Sequence, residues 1–283
     1  MEQTDHSQED RQGLGPLIAA IQMRSGSDVE ANLATAGRLL QEAREKGCKL
    51  AVLPENFALM AGAPSDRIHH AEEDRRGPIQ QGLSRLCQEL DLWLVAGTIP
   101  MRCERPDKVR AACLVYDSRG ERVARYDKIH LFDVDLGAGE RYAESDGFEP
   151  GNAPVVVATP YGRLGLAVCY DLRFPELFRI LLAEGAEIIS LPAAFTVPTG
   201  EAHWEVLLRA RAIENSCYVV AAAQAGHHDN GRTTYGHSMI VDPWGTVLGC
   251  QPEGTGAVLA HYEHERVDAV RRRLPSIKHR RLE

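Results

Sequence analysis

The chain lacks the features that mark secreted, membrane-bound, zinc-binding or nucleic-acid-binding proteins. Its seven cysteines are an odd number and none forms a C-x-x-C pair, which argues against a disulfide framework and a structural zinc site. No apolar run is long enough to span a bilayer, and the polar N-terminus has no signal-peptide pattern. The net charge of −8 argues against nucleic-acid binding, despite basic residues at 271–273 and 278–281. We therefore expect a cytoplasmic protein that binds neither membranes nor nucleic acid.

Low-complexity linkers, internal repeats and glycine-rich phosphate loops are also missing. With 283 residues, 44% of them hydrophobic and 25% charged, the chain is long enough to bury a large core. Residues 1–13 are too polar to bury anything, so we expect them to be disordered. The sequence thus predicts one domain over residues 14–283.

Apolar patterns predict strands that alternate with helices, and tight turns at 117–120, 161–163 and 242–245 predict hairpins between them. Ser27 and Glu30 have the spacing of a capping box, which predicts a helix with Ser27 at its N-cap. Further helices are predicted over residues 203–215 and 267–274. This mixture indicates an α/β sandwich of mixed sheets rather than a doubly wound fold.

One strand is followed by a cysteine and then by a helix start. Residues 164–168 read as a buried strand, Cys169 follows, and Pro175 suits the first turn of a helix. Free N–H groups and a helix dipole at such a turn favour the thiolate, which is the nucleophilic form. The alternative is a small buried hydrophobic residue.

Glu55 and Lys128 also stand at the ends of predicted strands. An acid, a lysine and a thiol suffice for covalent acyl transfer. Taken singly, Glu55 could cap the element after Pro54, and Lys128 could be a surface lysine beside Asp127. The spacing alone leaves both interpretations open.

Three segments strengthen the catalytic interpretation. Residues 53–57 (LPENF), 126–131 (YDKIHL) and 167–176 (AVCYDLRFPE) resemble, in the same order, the signature segments of the carbon–nitrogen hydrolase, or nitrilase, superfamily. The resemblance extends over residues 16–281. It implies a four-layer αββα sandwich, a homodimer or higher homo-oligomer paired across the helix after the cysteine, and no metal or organic cofactor.

The resemblance also implies roles for individual residues. Cys169 would be the nucleophile, and Glu55 the base that takes the thiol proton and later activates water. Lys128 would stabilise the oxyanion, with help from the backbone N–H of Tyr170. Glu144 matches a second glutamate that orients the amide or water, although it could instead be an exposed loop acid.

Arg173 occupies the place where carboxylate-binding members of the superfamily carry an arginine. A guanidinium there would bind a substrate carboxylate bidentately, whereas the alternative is an ion pair with Glu176 or Asp171. Tyr170 and Thr196 complete the predicted substrate-binding set. The predicted partner is a small-molecule amide that bears a carboxylate.

A narrower resemblance concerns residues 203–211 (HWEVLLRAR), 221–228 (AAAQAGHH) and 274–281 (LPSIKHRR). These segments are similar to the deaminated glutathione amidases, which release 2-oxoglutarate and cysteinylglycine. The alternatives are ω-amidase activity on 2-oxoglutaramate, hydrolysis of an N-carbamoyl amino acid, or a non-catalytic binding protein. His227, His228 and Asp229 do not have the pattern of a metal site, because adjacent histidines point apart. His130 and His237 are candidates for supporting contacts.

Overall fold

The computed structural model describes residues 15–137 and 141–281. Residues 1–13, for which we expect disorder, lie outside these ranges. The strands of the described ranges are β1 (Leu17–Gln22), β2 (Cys48–Val52), β3 (Trp93–Val95), β4 (Ile99–Arg102), β5 (Val109–Tyr116), β6 (Arg122–Asp127), β7 (Asp133–Asp135), β8 (Arg141–Ala143), β9 (Val156–Thr159), β10 (Gly162–Leu166), β11 (Ile188–Ala193), β12 (Tyr218–Ala223), β13 (Ala225–His227), β14 (Thr233–Tyr235), β15 (Ser238–Val241), β16 (Val247–Gln251) and β17 (Gly256–His261). The α-helices are α1 (Val29–Glu45), α2 (Pro64–His69), α3 (Pro78–Leu90), α4 (Pro175–Ala183), α5 (Val197–Asn215) and α6 (His264–Arg273).

Two large mixed sheets form the centre of the molecule. The first has the order β17-β1-β2-β3-β5-β4, with β6 also paired to β5, and the second has the order β16-β15-β12-β11-β10-β9. In each sheet three consecutive strands are parallel, namely β1, β2 and β3 or β10, β11 and β12, and antiparallel hairpin strands flank them. The hairpins predicted from the turn residues are confirmed.

The two sheets pack face to face, and helices cover their outer faces. Alternate residues of β1 point to opposite sides: Ile18 joins the core shared with the second sheet, whereas Ile21 joins the core under α1 and α3. On the other side, α4 and α5 cover β10 and β12, and Trp204 and Leu208 of α5 are buried there. This arrangement confirms the αββα sandwich.

Three helix starts differ from their predictions. Asp28, rather than Ser27, caps α1 by accepting the Ala31 N–H at 3.1 Å. Ser27 instead donates its N–H and hydroxyl to Asp229 at 2.8 Å, because the fold brings that distant loop beside it. Helix α5 begins at Val197, six residues before the predicted start, and α6 begins at His264 rather than at residue 267.

Residues that follow four of the strands meet at one edge of the two sheets. Glu55 follows β2, Lys128 directly follows β6, Cys169 follows β10, and Ala194 directly follows β11. All of them line one cavity. Packing two sheets face to face therefore brings residues from four strand ends into one site.

Candidate active site

The turn that carries Cys169 has an uncommon backbone conformation. Cys169 begins a 3-10 turn, Cys169–Arg173, and its φ of 48° lies in the left-handed region. For a residue other than glycine this conformation costs on the order of 1–3 kcal/mol, so the surroundings must hold it in place. The turn then passes into α4, where Pro175 occupies the first helical turn as predicted.

Asp171 holds this turn. Its carboxylate is fully buried and accepts hydrogen bonds from the Val168 N–H at 2.8 Å and the Tyr126 hydroxyl at 2.7 Å. Its other oxygen accepts the His130 N–H at 3.1 Å and lies 2.7 Å from the His130 ring Nδ1. The His130 ring in turn stacks on Phe174 at 3.7 Å between centroids. The supporting contact predicted for His130 is therefore to Asp171, a residue considered from the sequence only as a possible partner of Arg173.

Lys128 lies between two carboxylates. Its Nζ is 2.8 Å from Glu55 Oε1, and 2.9 and 2.8 Å from the two oxygens of Glu144. The Lys128 side chain is 2% exposed, and those of Glu55 and Glu144 are 5% and 16% exposed. Glu144 also accepts the Phe132 N–H at 2.6 Å. The geometry thus places Glu144 in the same buried cluster rather than on an exposed loop.

Glu55 is positioned by its backbone as well as by Lys128. The Gln224 side chain is fully buried and donates to the Glu55 carbonyl at 3.1 Å and to Ser25 Oγ at 2.8 Å. The next residue, Asn56, has a φ of 56° and donates its N–H to Thr98 at 2.8 Å. Contacts from both sheets therefore hold the Glu55 side chain toward the cavity.

The electrostatics keep Lys128 charged. Burial alone lowers the pKa of Lys128, but the charges of Glu144 and Glu55 outweigh burial and hold that pKa well above its ordinary value. An ammonium group is thereby maintained at neutral pH beside the thiol.

The same surroundings keep the thiol protonated at rest. Burial raises the pKa of Cys169 well above its ordinary value, and the Glu55 carboxylate raises it further, whereas Lys128 and the Ala194 N–H act in the opposite direction. This differs from the expectation that the turn alone favours a thiolate, because burial and Glu55 outweigh the favourable dipoles. Glu55 lines the same cavity as the thiol and its charge acts on that thiol, so a proton acceptor lies nearby.

The residues predicted to bind substrate line a cavity of about 370 Å³. Arg173 Nη1 lies 3.3 Å from His203 Nδ1, and its guanidinium lies over the rings of Tyr170 and Phe195 at 5.9 and 5.5 Å. No carboxylate oxygen of residues 15–137 or 141–281 lies within 4.0 Å of the Arg173 guanidinium, which is the limiting distance for an ion pair. The alternative ion pair with Glu176 or Asp171 is therefore wrong.

Thr196 lies at the start of α5 and is nearly fully buried at the cavity wall. Its hydroxyl oxygen is 2.8 Å from that of Thr199. Two further cavity residues, Arg67 and Arg232, were not singled out from the sequence. Arg67 lies on α2 and Arg232 in the β13–β14 hairpin, four residues after the recognised segment 221–228, and no local pattern distinguishes either from a surface arginine.

The two adjacent histidines have different surroundings. His228 is buried, with Nδ1 2.8 Å from the Ser25 carbonyl and Nε2 2.8 Å from the Thr234 hydroxyl, whereas His227 is exposed. The described part of the chain contains no group of three or more histidine, cysteine, aspartate or glutamate side chains that could hold a metal ion. None of its helices is both long and apolar enough to cross a membrane.

Comparison with known proteins agrees with this architecture. The carbon-nitrogen hydrolase family model matches residues 17–272. A Yersinia enterocolitica protein named deaminated glutathione amidase is 47% identical over 267 residues, which cover 94% of this chain and 93% of the relative. The human protein of the same name is 44% identical over 270 residues, covering 94% of this chain and 82% of the relative.

Among solved structures, the Caenorhabditis elegans NitFhit protein superposes with a TM-score of 0.89 at 40% identity. The match covers 95% of this chain, which spans 65% of that longer protein. The chain belongs to the carbon–nitrogen hydrolase family. It is a hydrolase of carbon–nitrogen bonds other than peptide bonds.

Proposed function

We propose that this hydrolase cleaves the amide of deaminated glutathione to 2-oxoglutarate and cysteinylglycine, with Cys169 as the nucleophile. The observation that most directly supports the chemistry is the Lys128 ammonium, bound by Glu55 and Glu144 beside the Cys169 thiol. The choice of substrate is supported by the relative that is 47% identical and carries that name.

In the first half of the reaction Glu55 takes the proton of the Cys169 thiol as sulfur attacks the amide carbonyl. The carbonyl oxygen becomes an oxyanion, which the Lys128 ammonium and the Tyr170 N–H stabilise. Within this turn the hydrogen bonding starts with the Asp171 N–H donating to the Val168 carbonyl, so the Tyr170 N–H has no acceptor inside the turn. The proton held by Glu55 passes to the amide nitrogen, the C–N bond breaks, and a thioester remains.

In the second half water enters the place of the departed amine. Glu55 removes a proton from that water, which attacks the thioester, and Lys128 again stabilises the oxyanion. The C–S bond breaks, the carboxylic acid leaves, and the proton returns to the Cys169 sulfur. Glu144 holds the ammonium through both halves and orients the amide or water.

The acyl group is recognised by Arg173. Two aromatic rings and a histidine hold its guanidinium in place, and no described carboxylate forms an ion pair with it. It is therefore suited to the carboxylate of a 2-oxo acid. The Tyr170 ring and the Thr196 hydroxyl line the same cavity and complete the contact with the acyl group.

Mass spectrometry of protein quenched during turnover of deaminated glutathione tests this proposal. We expect a 2-oxoglutaryl adduct on Cys169, absent from Cys169→Ala, and retained by Cys250→Ala, which removes an exposed cysteine instead. Unchanged hydrolysis by Cys169→Ala would refute the mechanism. Ammonia release from 2-oxoglutaramate that is faster than cleavage of deaminated glutathione would favour an ω-amidase.

We also propose that the protein is a cytoplasmic homodimer paired through α4 and α5. These helices expose Ile180, Val206 and Ile213, of which Val206 is 68% exposed. Near the C-terminus the Arg273 guanidinium lies 5.3 Å over the exposed Trp244 ring, so the basic tail would extend this surface. Light scattering that gives a monomer mass would contradict the pairing, and cell fractionation tests the location.

A further inference from the structure

Of the arginines that line the cavity, Arg67, Arg141 and Arg232 have no part in the chemistry described so far, and two of these three stack on aromatic rings. The Arg67 guanidinium lies 5.1 Å from the centroid of the Phe148 ring, and the Arg232 guanidinium lies 5.4 Å from that of Tyr142. Both line the cavity that contains Cys169. Stacking on an aromatic ring fixes the orientation of a guanidinium without neutralising its charge. Both side chains are thus held in place as cations.

Neither cation has an anionic partner in the described ranges, where no carboxylate oxygen lies within 4.0 Å of either guanidinium. Arg232 donates from Nη2 to the Ala194 carbonyl at 3.1 Å, but its buried Nε has no acceptor among the described residues. Buried N–H groups and charges are normally paired, and leaving one unpaired is costly. A bound anion would supply the missing acceptor.

Arg67 and Arg232 lie close enough for the charge of one to act on the other. Burial lowers the pKa of Arg67, and the positive charge of Arg232 lowers it further, whereas Glu144 and Asp66 raise it. Arg173 is stacked on other rings, those of Tyr170 and Phe195. Arg67 and Arg232 therefore form a cationic group of the cavity that does not share its aromatic supports with Arg173.

We propose that Arg67 and Arg232 bind a second carboxylate, carried by the amine half of the substrate. This inference rests on the proposed function, in which Arg173 takes the carboxylate of the acyl half. A carboxylate at the far end of a dipeptide amine lies about 7 Å from the cleaved nitrogen, since an extended chain spans about 3.5 Å per residue. A cavity of about 370 Å³ is within the range of sites for ligands of this size.

A carboxylate site at Arg67 and Arg232 would make the protein select between related amides. A substrate that releases ammonia has nothing to place on Arg67 and Arg232, whereas one that releases a dipeptide with a free C-terminal carboxylate pairs both cations. Substrates with an acidic amine half are thereby preferred over those without one.

The test compares deaminated glutathione with its analogue in which the terminal carboxylate is a carboxamide. Charge-assisted hydrogen bonds predict that wild-type kcat/KM is about ten- to hundredfold higher for the acid. In Arg232→Gln and Arg67→Gln this ratio should fall to near one, and Arg232→Lys, which keeps the charge, should retain part of it. Arg38→Gln removes a surface arginine that pairs with Glu42, and should keep the wild-type ratio.

A wild-type ratio near one would overturn the inference, as would Arg67 and Arg232 variants that slow both substrates equally. In either case the proposed function stands, because deaminated glutathione is still cleaved. If wild-type protein cleaves 2-oxoglutaramate but neither dipeptide amide, the proposed function itself fails. Circular dichroism of each variant separates loss of folding from loss of the ratio, and the lysine variant supplies the measurement if the glutamine variant does not fold.

Discussion

Removing the charge of Lys128 tests the central feature of the candidate site. Lys128→Met keeps a long side chain but removes the ammonium that contacts Glu55 and Glu144. Loss of one oxyanion donor costs about 3–4 kcal/mol in the barrier, so kcat should fall about 10²- to 10³-fold. Removing one partner of a buried ion pair also costs about 3–5 kcal/mol of stability.

Without the ammonium, Glu55 and Glu144 face each other as like charges in a buried site, and their repulsion adds to the loss of stability. Urea unfolding of the variant and of wild type at pH 7 measures this loss.

The matched control is Lys49→Met. Lys49 is 38% exposed and lies 3.5 Å from Asp91, so the same chemical change should cost about 1 kcal/mol or less and leave kcat near wild type. Hydrolysis is followed by release of 2-oxoglutarate under saturating substrate. A kcat of Lys128→Met within tenfold of wild type, or an equal loss of stability in Lys49→Met, would refute the reasoning.

Three further results are expected. Asp171→Asn replaces the carboxylate that accepts the Val168 N–H by an amide that cannot accept from all the donors around it. Stability should fall by about 2–3 kcal/mol and kcat by at least tenfold. Unchanged urea unfolding would contradict this. Arg173→Met should raise KM about ten- to hundredfold with a smaller change in kcat, so steady-state kinetics that show only a kcat defect would argue against substrate binding. The pKa values of Lys128 and Cys169 are both raised, so the folded state keeps these protons up to a higher pH than the unfolded state does. The contribution of the two groups to the free energy of unfolding is complete below about pH 9 and is lost as the pH rises further. Free energies of unfolding measured from pH 7 to 10 should decline above pH 9, and a flat profile would contradict the raised values.

The local sequence correctly predicted the strand and the helix on either side of Cys169. The buried strand before Cys169 and the helix opened by Pro175 depend on neighbouring residues alone, and both are confirmed. The hairpins were predictable for the same reason, since their turns carry glycine, proline and aspartate. The αββα architecture came from the resemblance of three short segments, because apolar patterns alone do not say how two sheets stack.

Features that depend on distant residues were missed or misassigned. A local capping box predicts Ser27 as the N-cap of α1, yet the Ser27 hydroxyl binds Asp229 from a loop about two hundred positions away. The resting state of the Cys169 thiol also differs from the sequence prediction. A turn and a helix dipole are visible in the sequence, whereas burial and the approach of Glu55 are not.

The sequence by itself determined the class of protein and the nucleophile, base and lysine that we propose, because each stands in a recognisable segment at the end of a strand. Only the tertiary structure decided how these residues combine. It placed Lys128 between Glu55 and Glu144, used Asp171 to hold the cysteine turn, and brought Arg67 and Arg232 into the cavity. The physical reason is that charge pairing and desolvation depend on distances between strand ends, and packing sets those distances.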